Sequence, residues 1–153
     1  RMFDWTLWQA PTTGGDARRP DDTTMVAARF SPDGRSLLSL RWTSTGDQGE
    51  LTLAIAPAEG GAPTWTLIAP RIERSDGNML IEWTPDSRAL SYPSNTGAVG
   101  NVWLQALDRS PPRQLTRFDD LRVMSHAWSP DGRTLYVVRG RYLSDAVLIR
   151  DFR

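Results

Sequence analysis

Residues 127–138 read A-W-S-P-D-G-R-T-L-Y-V-V. Two degenerate copies stand upstream, F-S-P-D-G-R-S-L-L-S-L at 30–40 and W-T-P-D-S-R-A-L-S-Y at 83–92. The motif is a hairpin signature. Proline presets φ for the first central position of a type I turn, aspartate favours the second, and Gly34 or Gly132 supplies positive φ. The expected loop is a three-residue one ending in a glycine bulge, with the aromatic residue before it and the apolar run after it in antiparallel strands. In the middle copy Ser87 replaces the glycine, so that turn must hold a left-handed serine at a cost of roughly 1 kcal/mol or change type.

Pro32, Pro85 and Pro130 recur at intervals of about 50 residues, the length of one four-stranded propeller blade with its loops. A second repeat has the same period: T-L-W-Q-A-P-T-T-G-G at 6–15 and T-L-A-I-A-P-A-E-G-G at 52–61, each a strand followed by a turn. In the next unit N-V-W-L-Q-A-L-D at 101–108 takes that place. R-Q-L-T at 113–116 reads as a fourth, outer strand, as do 64–68 and 17–20.

The expected fold is therefore all-β, a partial β-propeller of about three four-stranded antiparallel blades. Residues 1–24 are the two outer strands of a preceding blade. Blades follow over 25–70 and 78–118, and a final one lacking its outer strand over 123–153. Propellers use about four to eight blades, so the remaining ones are expected upstream or from a second copy. Uncovered blade faces would otherwise leave an apolar patch rarely seen on a soluble monomer.

Composition excludes several activities. The 153 residues are 39% hydrophobic and 24% charged, ordinary for a globular domain. Lys plus Arg and Asp plus Glu balance at 18 each, which gives no basic footprint for nucleic acid. Every cation is arginine, so no Schiff-base, P-loop or kinase lysine exists in this stretch. Cysteine is absent, which removes disulfides, thiolate nucleophiles and Cys-type zinc sites. No apolar run approaches the roughly 20 residues of a membrane span, and no membrane insertion by this chain is expected.

Candidate chemistry is sparse. His126, the sole histidine, has no second histidine for a metal pair and reads as a hydrogen-bonded structural residue. Asp33, Asp86 and Asp131 sit where turn aspartates bond local amides. The glycine-rich stretches 46–49 and 96–100 lack the lysine and following helix of a phosphate cradle. No catalytic residue, metal or cofactor is expected. Trp83 and Trp128, ahead of their turns, are expected to pack between blades. The contact-like residues are Arg139, Arg141 and Tyr142, with Trp42, at a ring mouth built from loops 43–49, 94–100 and 140–144. They suit a protein or peptide partner.

The W-S-P-D-G-R-x-L motif, with x-V-W-L-Q-x-L-D and R-Q-L-T, resembles the TolB-like β-propeller repeat over nearly the whole chain. The last part, R-Q-L-T-R-F, H-A-W-S-P-D-G-R and S-D-A-V-L-I-R-D-F-R, resembles the C-terminal propellers of bacterial serine/threonine protein kinases and winged-helix regulators. The resemblance implies a sensory or scaffold module outside the cytoplasmic membrane, with any kinase activity in a different domain. Two rival readings remain: a substrate-gating propeller of a prolyl-oligopeptidase-like hydrolase, and a self-assembling half-propeller.

Overall fold

The computed structural model describes residues 6–19, 25–45, 48–68, 74–75 and 78–142, which form strands and turns only. Strands β1 (Met25–Phe30), β2 (Ser36–Thr45), β3 (Gln48–Pro57) and β4 (Trp65–Ile68) make one antiparallel sheet in chain order. Next, β5 (Arg74–Ser75) and β6 (Asn78–Met79) pair only with each other. The second sheet, again in chain order, is β7 (Glu82–Trp83), β8 (Ala89–Thr96), β9 (Val99–Ala106) and β10 (Arg113–Gln114). Finally β11 (Arg122–Trp128) and β12 (Leu135–Gly140) form a hairpin. Near the start, Gln9 and Arg18 exchange two backbone hydrogen bonds of 2.8 Å in a single antiparallel bridge. This succession of meandering antiparallel sheets is that of a partial propeller.

The repeated turn is a closed hydrogen-bond circuit. Ser31 Oγ donates to Asp33 Oδ1 at 2.6 Å and accepts from Ser36 N at 2.9 Å, while Arg35 N donates to Asp33 Oδ1 at 3.1 Å. Thr84 with Asp86, and Ser129 with Asp131, repeat the circuit. A hydroxyl ahead of proline and a carboxylate after it thus satisfy backbone amides that the loop leaves unpaired. Because Ser31 N also bonds Ser36 O, the loop spans 32–35, one residue longer than the expected three-residue form. Gly34 and Gly132 take φ of 71° and 69°, and Ser87 holds the same left-handed conformation at 60°. Its hydroxyl gains a partner there, accepting from Asp33 N of the preceding turn at 3.2 Å.

Side-chain alternation then decides which sheet faces meet. Leu38 and Leu40 on β2, Leu53 and Ile55 on β3, and Trp65 on β4 are buried in one core with Ile81, Trp83, Leu90 and Tyr92 of the second sheet. Each such side chain contributes roughly 1.5–3 kcal/mol by leaving water. The Trp83 indole N–H reaches Arg29 O at 3.3 Å, and Arg29 pairs with Glu82 at 2.7 Å across the same interface. On the opposite face of β8, the β11–β12 hairpin packs against β8 and β9, with Trp128 Nε1 donating to Ser91 Oγ at 2.9 Å.

Two features differ from the sequence reading. The stretches 43–49 and 94–100, expected as loops, continue the ladders as far as the pairs Thr45↔Gln48 and Thr96↔Val99, and in the second a turn of two residues, Gly97 and Ala98, is left. Trp42, read as standing near the end of this strand, lies within the β2 ladder opposite Leu51. The second sheet takes up at Glu82, because Asn78–Met79 folds back on Arg74–Ser75. The expected last strand beyond Tyr142 lies outside the described residues.

Ser87 allows a test of the turn. Ser87→Gly removes the left-handed strain and the Asp33 contact, whereas Ser87→Ala loses the contact and keeps the strain. The glycine variant is expected to be the more stable of the two by about 1 kcal/mol, read as a higher urea midpoint at unchanged slope.

Candidate binding surface at the hairpin ends

The titratable groups inside the sheets are committed to structure. The hydroxyl of Ser31, and then the amide of Arg35, hold the Asp33 carboxyl below its ordinary range. Thr84 and Arg88 do the same for Asp86, as Ser129 and Arg133 do for Asp131. Glu82 moves the other way: burial raises its carboxyl, and the Arg29 guanidinium at 2.7 Å only partly opposes this. Among the described residues no group of three or more His, Cys, Asp or Glu is placed to hold a metal.

His126 lies between sheets. Its Nε2 is 2.8 Å from Ser91 Oγ, which also receives the Trp128 N–H and lies 3.4 Å from Glu82 O. The arrangement that uses every group has Nε2–H donating to Ser91, whose own hydroxyl proton goes to the Glu82 carbonyl; Nδ1 is then a bare acceptor. Burial, with the nearby Arg29 charge adding to it and hydrogen bonding to Ser91 opposing it, lowers the imidazole pKa to about 4. The ring is neutral at neutral pH. It is a strut between blades, with no proton to exchange there.

The exposed chemistry lies at the other end of the strands, on a backbone held in place by two asparagines. Asn101 Oδ1 accepts from Phe118 N at 2.7 Å and from Thr116 Oγ1 at 3.0 Å, and its Nδ2 donates to Phe118 O at 3.2 Å. Asn95 Oδ1 accepts from Val123 N at 2.9 Å, and its Nδ2 donates to Val123 O at 3.1 Å. Gly100 N donates to Leu121 O at 2.9 Å. A Cβ on Gly100 would overlap Asn95 Oδ1 and come within 2.5 Å of Val123 N, so only glycine lets β9 approach β11 this closely. Arg122 NH1 ties the same segment to Gly97 O at 2.8 Å.

The residues expected to contact a partner divide at this rim. Arg139 is spent internally: its guanidinium lies 3.8 Å from the centroid of the Phe118 ring and pairs with both the carboxylate and the carbonyl of Asp120. Arg141 and Tyr142, just beyond β12, are exposed, Tyr142 to 67%. Exposed Arg117 and Asp119 flank the ring of Phe118. The Trp42 backbone sits near the corresponding end of β2, and its side chain lies outside the described residues. The sequence reading missed Asn95, Asn101 and Phe118. No local pattern marks them, since Asn95 acts on Val123 in the next blade.

Two outcomes follow. Between pH 7 and pH 5 the unfolded chain protonates its histidine while the folded one does not, so stability should fall by about 2 kcal/mol as pH drops. Glu82, with its raised pKa, contributes with the opposite sign. Urea unfolding of His126→Gln, which keeps Glu82, should show the smaller loss on acidification. Gly100→Ala should cost about 1–3 kcal/mol in the same assay at pH 7.

No family model and no curated protein matches the chain. Among solved structures, one assigned as TolB from Agrobacterium tumefaciens is similar to it, with 20% identity and a TM-score of 0.43. The match covers 80% of this chain, which spans 57% of that structure's length.

Proposed function

We propose that the chain is a non-catalytic binding module of a larger bacterial propeller protein, and that it meets a protein or peptide at the rim carrying Arg141 and Tyr142. The observation that supports this most is the pairing of an exposed arginine and tyrosine with a backbone already locked by Asn95, Asn101 and Arg139. Arginine and tyrosine are the side chains that most often dominate binding energies. A rigid base reduces the ordering cost of using them. Arg139 is neutralised by Asp120, whereas Arg117 and Arg141 are exposed. The partner this chemistry favours presents carboxylates beside an apolar group. The resemblance of residues 113–153 to kinase-linked and regulator-linked propellers supports a sensory or scaffold role in signalling, on the outer side of the cytoplasmic membrane.

The test is selection of a displayed peptide library on the immobilised 153-residue chain, followed by titration of the selected peptides in solution. Acidic peptides should be enriched. Arg141→Glu and Tyr142→Ala should each weaken them at least about tenfold, the loss typical of a central interface residue. Arg35→Glu, exposed at the opposite strand ends, should leave affinity unchanged. Equal binding by Arg141→Glu and the parent would reject this rim as the contact surface.

A further inference from the structure

The repeated turns stack on one another at one end of the strands. Asp33 N of the first turn bonds Ser87 Oγ of the second at 3.2 Å, and a Cβ on Gly132 of the third would stand 3.7 Å from the Pro85 ring of the second. Among them opens a cleft of about 430 Å³, walled by Trp83, Trp128, Ala127 and the turn prolines Pro32, Pro85 and Pro130. Glu82 is the only ionisable side chain in this lining among the described residues. The size and the largely apolar wall are those of a small-molecule pocket. Arg141 and Tyr142 follow the opposite end of β12.

The polar atoms of the wall decide what the cleft can hold. Both indole N–H groups are engaged within the protein, Trp83 on Arg29 O and Trp128 on Ser91 Oγ. Ser129 Oγ is committed to its turn, donating to Asp131 Oδ1 and accepting from Thr134 N. The Glu82 carboxylate is different. Its Oε1 accepts from Arg29 Nη1 at 2.7 Å, whereas Oε2 has no hydrogen bond among the described residues, on a side chain that is 31% exposed. The cleft therefore offers an anionic acceptor beside two indole rings. Carboxylates, phosphates and carbonyl groups meet no side-chain donor there, and a cation with an apolar body meets both an acceptor and a wall.

The repeat shows why Oε2 is left unclaimed. Arg29, Glu82 and Ala127 stand in register, each directly ahead of the aromatic residue of its unit. Arginine of the unit before covers one carboxylate oxygen. On the forward side, toward the unit that follows, exposed Ala127 stands where a second long side chain would approach the other oxygen, and the cleft takes the space. One guanidinium does not offset the burial, which holds the Glu82 carboxyl above its ordinary range. A second positive charge at Oε2 would be stabilised by the carboxylate and by the electron-rich indole faces together.

We propose that this cleft binds a small organic cation, a primary ammonium carried on an apolar body, with the ammonium on Glu82 Oε2 and the body against Trp83, Trp128 and the turn prolines. Arg29 keeps Oε1, so the carboxylate is held between two cations. The site lies apart from the rim that carries Arg141 and Tyr142, so peptide capture there and amine binding here succeed or fail independently.

Phenethylammonium is the probe, titrated into the chain at neutral pH by calorimetry and by the indole N–H resonances. It should bind, and phenethyl alcohol, which lacks the charge, should bind at least about tenfold more weakly, the loss expected for a charge-assisted contact. Glu82→Gln should weaken the ammonium by a similar factor. Ala127→Arg tethers a guanidinium beside Oε2 and should abolish binding with the strand spectrum retained. Ala127 is exposed, so the arginine variant decides alone if Glu82→Gln fails to fold. Neither heat nor a resonance shift up to about 10 mM probe would overturn the proposal. Equal binding of the alcohol, or undiminished binding by Ala127→Arg, would overturn it too. Tighter binding of the peptide glycyl-lysyl-glycine than of phenethylammonium would overturn the small-molecule assignment, because a protein side chain would then be the better occupant.

Discussion

The aromatic residue ahead of each turn holds one blade to the blade before it, and most of the structure depends on that contact. Trp83 closes the core that Leu38, Leu40, Leu53 and Ile55 begin, and its indole proton is satisfied on the neighbouring backbone at Arg29. A tryptophan in this place supplies a large apolar surface and one directional bond, so it sets both the spacing and the rotation of adjacent sheets. The turn behind it matters for the same reason. Its hydroxyl and carboxylate circuit fixes where the first strand ends, and hence where the ring points.

The blade-to-blade contacts share a geometry and differ in chemistry. Between the first two sheets the interface is apolar, with one partly exposed ion pair, Arg29 with Glu82, at its margin. An exposed pair of this kind adds little stability and helps chiefly to select orientation. Between the second sheet and the hairpin a single hydroxyl, that of Ser91, serves both Trp128 and His126. Burying a neutral imidazole there is tolerable only because its N–H has an acceptor.

The fold was legible in the sequence because its strongest constraints are local. Proline, aspartate and glycine at fixed offsets dictate the turns, and the turns recur at blade period. Between blades the sequence shows the aromatic residue ahead of each turn, and the remaining contacts leave no local pattern. Asn95 and Gly100 look like loop residues until β11 is seen against them, and Arg139 looks like a free cation until Phe118 and Asp120 are in place. The strand pairing of 43–45 with 48–50 was also hidden, since threonine, serine and glycine there suit a loop as well as a ladder edge. Ser87 was legible as a point of strain, and its contact with the preceding turn was not.

The Ser91 hydroxyl also bears on how such an array can change. In a repeat whose interfaces were all alike, units could be duplicated, deleted or exchanged by recombination with no local penalty. Here the forward face of the first sheet is Leu38 and Leu40, with no hydroxyl to offer. Deleting the second sheet would set the imidazole of the third unit against hydrocarbon, although its indole would still find a carbonyl at Arg29, where Trp83 does. Each blade therefore carries an address for its neighbour, and the order of the units is written into their facing side chains as firmly as into the peptide bonds that link them.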